Sequence, residues 1–138
     1  MIERWLRIPY KKKEVPGSLS KYISDNSDIV RSKTELNIAN ALYKRKIPYK
    51  YECPLILRNR NIIYPDFTIL DVKNRKIVYW EHRGMMDDRD YAKNSVARLR
   101  EYADNQIFPG DNLIITEETY ALQLGTNDIA KVIRHYFS

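Results

Sequence analysis

The stretch that decides the fold is residues 61–84, NIIYPDFTILDVKNRKIVYWEHRG. Two apolar runs of strand character, IIYPDFTIL and KIVYWE, flank the polar turn DVKNR, the pattern of a β-hairpin. A register that sets Asp71 opposite Lys76 also sets Asp66 opposite Glu81. Both acids then share one face, with beta carbons roughly 4.5–5.5 Å apart. Like charges so placed repel and weaken a sheet. A divalent cation offsets that repulsion, and carboxylate oxygens suit Mg²⁺ or Mn²⁺. Pro65 fits an edge or a bulge, since proline cannot donate to a strand ladder and bulges near active sites re-aim side chains. The other possibility is that both acids sit at frayed strand ends and face water. Spacing alone leaves the two open.

Elements on either side extend the pattern. SKTELNIANALYKRK (32–46) carries Leu36, Ala39, Leu42 and Tyr43 at helical spacing, and Ser32 with Glu35 three residues on makes a capping box. YKYECPLIL (49–57) reads as a strand, RNRN as a turn, Ile62 to Leu70 as a second strand and Lys76 to Glu81 as a third. A helix is predicted from about Asp87 to Asn105, with Tyr91, Val96, Leu99 and Tyr102 inward. NLIIT (112–116) is a short apolar strand. TNDIAKVIRHYF closes as a helix with Ile129, Val132, Ile133 and Tyr136 on one stripe and Thr126 as its cap. Residues 1–30, broken by Pro9, Pro16 and Gly17, read as an N-terminal arm or the end of a preceding region, with a short helix at the start. Residues 31–138 read as one domain. The order α, β, β, β, α, β, α predicts an α/β fold with a mixed sheet flanked by helices.

Composition bounds the function. At 138 residues and 43% hydrophobic, the chain suits a single core. Its 24 Lys and Arg against 18 Asp and Glu give a net charge of +6, which admits a polyanionic partner but also serves plain solubility. Cys53 is the only cysteine, so an intrachain disulfide and a cysteine-built metal site are excluded. Beside Pro54 it is expected as a buried small hydrophobe. No run is long and apolar enough for a membrane span, and no signal peptide is visible, so a reducing, cytoplasmic setting is expected.

Glu35, Pro65-Asp66 and Glu81-His82-Arg83, in an αβββαβ order from Ser32 to Thr116, resemble the PD-(D/E)xK nuclease superfamily, with its restriction-endonuclease-like core. YPDFTIL followed by YWEHRGMMDD is similar to a family of poorly characterised bacterial and phage proteins that carry this core at their C-terminal end. The arm ERWLRIPYKKK resembles the tail of a preceding region, which implies a domain cut from something longer. The resemblance covers Arg31 to Glu118. It implies a metal-dependent nuclease acting on DNA, with Asp66, Glu81 and the backbone carbonyl of His82 holding Mg²⁺ or Mn²⁺. Water activated by the metal would then hydrolyse the phosphodiester. Glu35 would join from the helix, through water or by orienting the nucleophile, although its capping-box role competes with that.

Two residues past Glu81 the family's lysine is replaced by Arg83. Strand alternation keeps Arg83 on the Glu81 face and turns the His82 side chain away. Arginine stabilises phosphate charge but stays protonated and cannot act as a base. Arg98, and less readily Lys93, is a candidate for a basic residue supplied from the following helix. Tyr102 lies four residues after Arg98, where relatives place a tyrosine. Arg58, Arg60 and Lys33 are candidate nucleic-acid contacts. Lys11 to Lys13 and KRK (44–46) are also candidates, but KRK suits the negative end of a helix dipole equally well. His135 is expected at the surface. Two further functions remain open: a nucleic-acid-binding module that keeps the fold without turnover, and an interaction domain in which the acids are incidental. Oligomeric state and DNA preference are not legible.

Overall fold

The β-hairpin at the centre of the sequence takes the register that its turn dictates. Strands β6 (Phe67–Asp71) and β7 (Lys76–Arg83) pair antiparallel from Phe67 opposite Trp80 to Asp71 opposite Lys76. The buried Asp71 carboxylate closes the loop by accepting from the Asn74 amide N–H at 3.3 Å and its side-chain N–H at 2.9 Å. Arg75 completes the turn in the left-handed region at φ 53°. Those contacts pin the hairpin against slippage, which in a sheet buried on both faces would turn every side chain to the wrong side.

In the computed structural model, residues 2–13 and 21–138 are described. Pro16 and Gly17 lie outside them. Besides the hairpin, the elements are α1 (Ile2–Arg7), β1 (Tyr22–Ile23), β2 (Ile29–Val30), α2 (Lys33–Lys44), β3 (Tyr49–Tyr51), β4 (Leu55–Ile56), β5 (Ile62–Ile63), α3 (Arg89–Asp104), β8 (Leu113–Glu117) and α4 (Thr126–Phe137). The main sheet runs β3-β6-β7-β8, antiparallel except for the parallel β7–β8 pair, across which α3 makes the connection. A mixed α/β architecture results, with the sheet between two layers. On one face Tyr49, Tyr51, Phe67, Ile69, Val78, Trp80 and Ile114 pack against Ile38, Ala39 and Leu42 of α2 and Ile129 and Ile133 of α4. On the other, Tyr79, Leu113 and Ile115 pack with Tyr102 and Leu99 of α3 and with Leu57 and Ile63 beside the β4–β5 ribbon.

Several expectations change in detail. The segment 49–57 is two strands rather than one, because Glu52 takes the left-handed region at φ 52° and turns the chain. The segment 62–70 is likewise split: Tyr64 to Asp66 fall between β5 and β6, and Pro65 has no N–H for a ladder. The α4 cap is Gly125, one residue before Thr126. Val96, expected inward, is exposed on α3, and Tyr43 of α2 is exposed too, while Ile38 takes a fully buried place. Cys53 is only half-buried. The two-residue hairpin β1–β2 lies in the region read as an arm, and its Val30 joins the main core. No helix among the described residues is long and apolar enough to cross a membrane. His135 is exposed, as expected.

Polar groups inside the main core are met in a linked set. Thr116 Oγ1 accepts the Trp80 indole N–H at 2.9 Å and sits 2.9 Å from His82 Nδ1, while His82 Nε2 lies 2.8 Å from Glu118 Oε1. Thr116→Val keeps the volume but strips a partner from two buried groups. We expect it to lower stability by about 1–3 kcal/mol. In urea the unfolding midpoint should fall with an unchanged slope; an unchanged midpoint would mean the indole and imidazole find other partners.

Candidate active site

Asp66 precedes the first paired residue of β6 and Glu81 follows its partner Trp80 on β7, so the two acids sit at one level of the hairpin. Each has one oxygen fixed by the fold. Asp66 Oδ2 accepts the His82 backbone N–H at 2.7 Å. Glu81 Oε1 accepts the Tyr102 hydroxyl at 2.5 Å and lies 3.6 Å from the Arg98 guanidinium. Arg98 and Tyr102 are four residues apart on α3 and therefore approach from one side. The other oxygen of each carboxylate takes no hydrogen bond from the described residues. Both acids line a cavity of about 310 Å³ together with Lys13, Arg83, Arg98 and Tyr102.

The acids are held under electrostatic load. Burial pushes the Asp66 carboxyl well above the usual carboxylate range; the charges of Glu81 and Glu35 push the same way, against the His82 N–H. Burial also raises Glu81, opposed by the Tyr102 hydrogen bond and by the charges of Arg98, Arg83 and Lys13. Burial and the neighbouring Glu81 charge in turn push the Tyr102 hydroxyl far up, so it stays a donor. A divalent ion fits such a pair. It would remove the repulsion and take the two uncommitted oxygens. Among the described residues no three His, Cys, Asp or Glu side chains gather into one metal site. Two carboxylates, a backbone carbonyl and water still suit Mg²⁺, which usually keeps several waters.

The remaining sequence candidates separate into those near this cavity and those elsewhere. Arg83 lines it, but its guanidinium donates to Glu117 Oε1 at 3.3 Å and to the Ser95 carbonyl at 3.2 Å. The His82 imidazole points to the opposite face, as strand alternation predicts, and only its backbone meets the site, with its carbonyl 3.5 Å from the Tyr91 hydroxyl. Glu35 is not in the cavity lining, although its charge is felt by Asp66. Its Oε1 accepts the Tyr51 hydroxyl at 2.5 Å, its Oε2 accepts from Ser32 Oγ at 3.1 Å, and its amide donates to Ser32 Oγ. Lys33 is exposed at the start of α2, and Lys93 is exposed on α3. Arg58 lines a different cavity with Ile77, Asn105 and Asn112, toward the other end of β7, and Arg60 is exposed in the same turn.

Other groups at the site were not singled out for it by the sequence. Tyr51 reaches Glu35 from the core side of β3, and Tyr64, Tyr91, Asn94 and Ser95 line the cavity. Tyr91, expected as core, is half-buried, with its hydroxyl accepting the Gly84 N–H at 3.0 Å. The tyrosine count was the available signal, but it does not say which tyrosines bind carboxylates.

No family model and no curated protein matches the chain. Among solved structures, a cryo-electron-microscopy structure of a DrdV–DNA complex is similar, with a TM-score of 0.47 and 15% identity. The match covers 85% of this chain and 12% of that one, so the chain spans a small part of its neighbour's length.

A carboxyl raised in the folded state favours folding while protonated, and that contribution is lost as pH rises through the raised value. Metal-free protein should therefore lose the Asp66 and Glu81 contributions as pH climbs from the ordinary value of about 4. Glu118 runs the other way. Burial alone would raise it, but hydrogen bonds from the Leu124 N–H, His82 and Thr34 together hold it low, so its contribution is lost as pH falls. Asp66→Asn isolates the first effect: its thermal midpoint without metal should exceed wild type by several degrees at pH 7 and converge toward it near pH 4. A difference independent of pH would mean Asp66 is not under this load.

Proposed function

We propose that the chain is a divalent-metal-dependent nuclease that hydrolyses phosphodiester bonds in DNA. The observation that carries this reading is the facing pair Asp66 and Glu81, each with one oxygen hydrogen-bonded and one without a partner among the described residues, at a cavity also lined by Lys13, Arg83 and Arg98. The order α2-β3-β6-β7-α3-β8 around a mixed sheet supports a restriction-endonuclease-like core of the PD-(D/E)xK kind. The excess of basic residues supports a polyanionic substrate.

In this reading Asp66, Glu81 and the His82 carbonyl hold Mg²⁺ or Mn²⁺. When bound, the ion supplies Lewis acidity toward the phosphate and lowers the pKa of water. Tyr102 and Arg98 hold one oxygen of the Glu81 carboxylate and the His82 N–H holds one of Asp66, which would leave the second oxygen of each for the ion. Arg83 and Arg98 contribute positive potential where charge gathers on the phosphate. Glu35, held by Tyr51 and Ser32, adds negative potential behind Asp66 and so strengthens the demand for a cation.

A second reading, a nucleic-acid-binding module without turnover, draws on one observation. Arg83 stands where the motif has lysine, and its guanidinium is already engaged by Glu117 and the Ser95 carbonyl.

The deciding experiment is cleavage of labelled single-stranded, duplex and branched DNA in Mg²⁺, Mn²⁺ and EDTA. Cutting should need the metal. Asp66→Asn and Glu81→Gln should each reduce it by more than about 100-fold, and Tyr102→Phe by about 10- to 100-fold, the range for loss of a group that orients a ligand. Metal-independent cutting, or cutting that survives both carboxylate variants, would sink the nuclease reading. Binding without cutting, equal in wild type and variants, would favour the module.

A further inference from the structure

Three cationic side chains line the acidic cavity: Lys13, Arg83 and Arg98. Two are committed. Arg83 donates to Glu117 and the Ser95 carbonyl, and Arg98 pairs with Glu81 and with Glu101, at 3.6 and 3.5 Å. Lys13 differs. It is exposed, and its ammonium makes no ion pair within 4.0 Å among the described residues. It also belongs to the N-terminal segment, remote in sequence from every other cavity residue.

That segment is fastened to the edge strand of the sheet rather than trailing from it. The Tyr10 hydroxyl donates to the Tyr51 carbonyl at 2.8 Å. The Lys50 ammonium, on the neighbouring residue of β3, lies 4.4 Å from the Trp5 ring centroid and 5.8 Å from that of Tyr10. At such distances a cation is attracted to the ring face. Arg31 reaches from beside α2 to donate to the Lys13 carbonyl at 3.2 Å, while its guanidinium pairs with Glu52 at 2.7 Å. Four contacts thus hold the segment beside β3, with Lys13 in the cavity lining. The charge of Lys13 is felt by both Glu81 and Glu52.

We propose that Lys13, delivered by this fastened arm, is the residue that contacts the scissile phosphate of the nucleic acid, donating from its ammonium to a non-bridging oxygen. The inference rests on the nuclease reading and assigns that site a catalytic residue outside the sheet and α3. An ammonium is a compact charge with three rotatable donors and suits a tetrahedral anion approaching from solvent. Arg83 is instead hydrogen-bonded to protein acceptors, and Arg98 is shared between Glu81 and Glu101.

The test uses the full chain as wild type, Lys13→Met, Lys13→Arg and, as a control on the exposed face of α4, Lys131→Met. Affinity for a fluorescent DNA oligonucleotide is measured in Ca²⁺ across a salt series, cleavage rate in Mn²⁺, and Mn²⁺ binding by calorimetry. Lys13→Met should weaken DNA binding about tenfold and lower the salt slope by about one, the signature of a lost phosphate contact. It should also slow cutting about 100-fold and leave Mn²⁺ affinity undiminished, since a lost general-acid or electrostatic contact typically costs about 10²–10³-fold. Lys13→Arg should restore the affinity and slope, and Lys131→Met should match wild type. If Lys13→Met cuts and binds like wild type, the assignment of Lys13 fails while metal-dependent cutting by wild type leaves the nuclease reading in place. If wild type binds with a Lys13-dependent slope but cuts nothing, the nuclease reading fails and the catalytic role of Lys13 fails with it, leaving a binding contact alone. A wild type that neither binds nor cuts overturns both.

Discussion

Asp66 and Glu81 face each other because every pair from Phe67–Trp80 to Asp71–Lys76 holds one register. That register is needed elsewhere: it is what turns Phe67, Ile69, Val78 and Trp80 together into the main core. The hairpin cannot slip to separate the acids without turning those four side chains out. Were both acids ionised at the roughly 5 Å typical of facing residues, they would repel by roughly 3 kcal/mol at an effective dielectric of about 20. Against a typical total stability of about 5–15 kcal/mol, that is a large standing load. Packing therefore denies the pair relief by slippage, and the raised carboxyls show the fold meeting the repulsion by favouring the protonated form.

What surrounds the pair limits the repulsion without removing it. Each carboxylate is given one strong donor, the His82 N–H for Asp66 and the Tyr102 hydroxyl for Glu81. Arg98 adds a partial ion pair to the same Glu81 oxygen. Hydrogen bonds to the charged form favour it, yet burial still leaves both carboxyls raised. A fully compensated structural pair would have closed both oxygens with protein donors. Here the second oxygen of each has no hydrogen bond from the described residues, and that gap is what the proposed divalent ion would fill.

The hairpin and its facing acids were legible in the sequence because they depend on local rules: alternation, a short polar turn, and a proline where a strand must break. The same local reasoning turned His82 away from the site. It did not reveal that Glu52 would enter the left-handed region and divide one strand into two. Nor did it find Tyr51 on Glu35, and it named Lys13 only among three arm lysines that could contact phosphate, not as a neighbour of the acids, because these contacts join residues far apart in the chain whose meeting depends on the finished packing. Val96 failed for a related reason. Helical spacing puts it near the inward stripe, but α3 covers the sheet chiefly through Leu99 and Tyr102, toward its C-terminal end. Arg58 and Arg60 were candidates because they occupy a turn between strands; the ribbon β4–β5 packs around Leu57, Ile63 and Ile107 and takes that turn to Asn105 at the end of α3, away from the acids.

His82 ties the two faces of the sheet together through a single residue. Its backbone N–H holds Asp66 on the cavity side, while its imidazole on the other side meets Thr116 and Glu118. Glu118 accepts in turn from Thr34 Oγ1 at 2.8 Å, and Thr34 is the neighbour of Glu35 in the first turn of α2. The end of β7, the end of β8 and the start of α2 are thus linked by hydrogen bonds that lie outside the cavity. A buried histidine in such a set restricts how far β7 can shift relative to α2, and with it the separation of Asp66 from the charge of Glu35. The side chain that strand alternation removes from direct chemistry therefore still acts on the site, by fixing the backbone that orients one of its two acids.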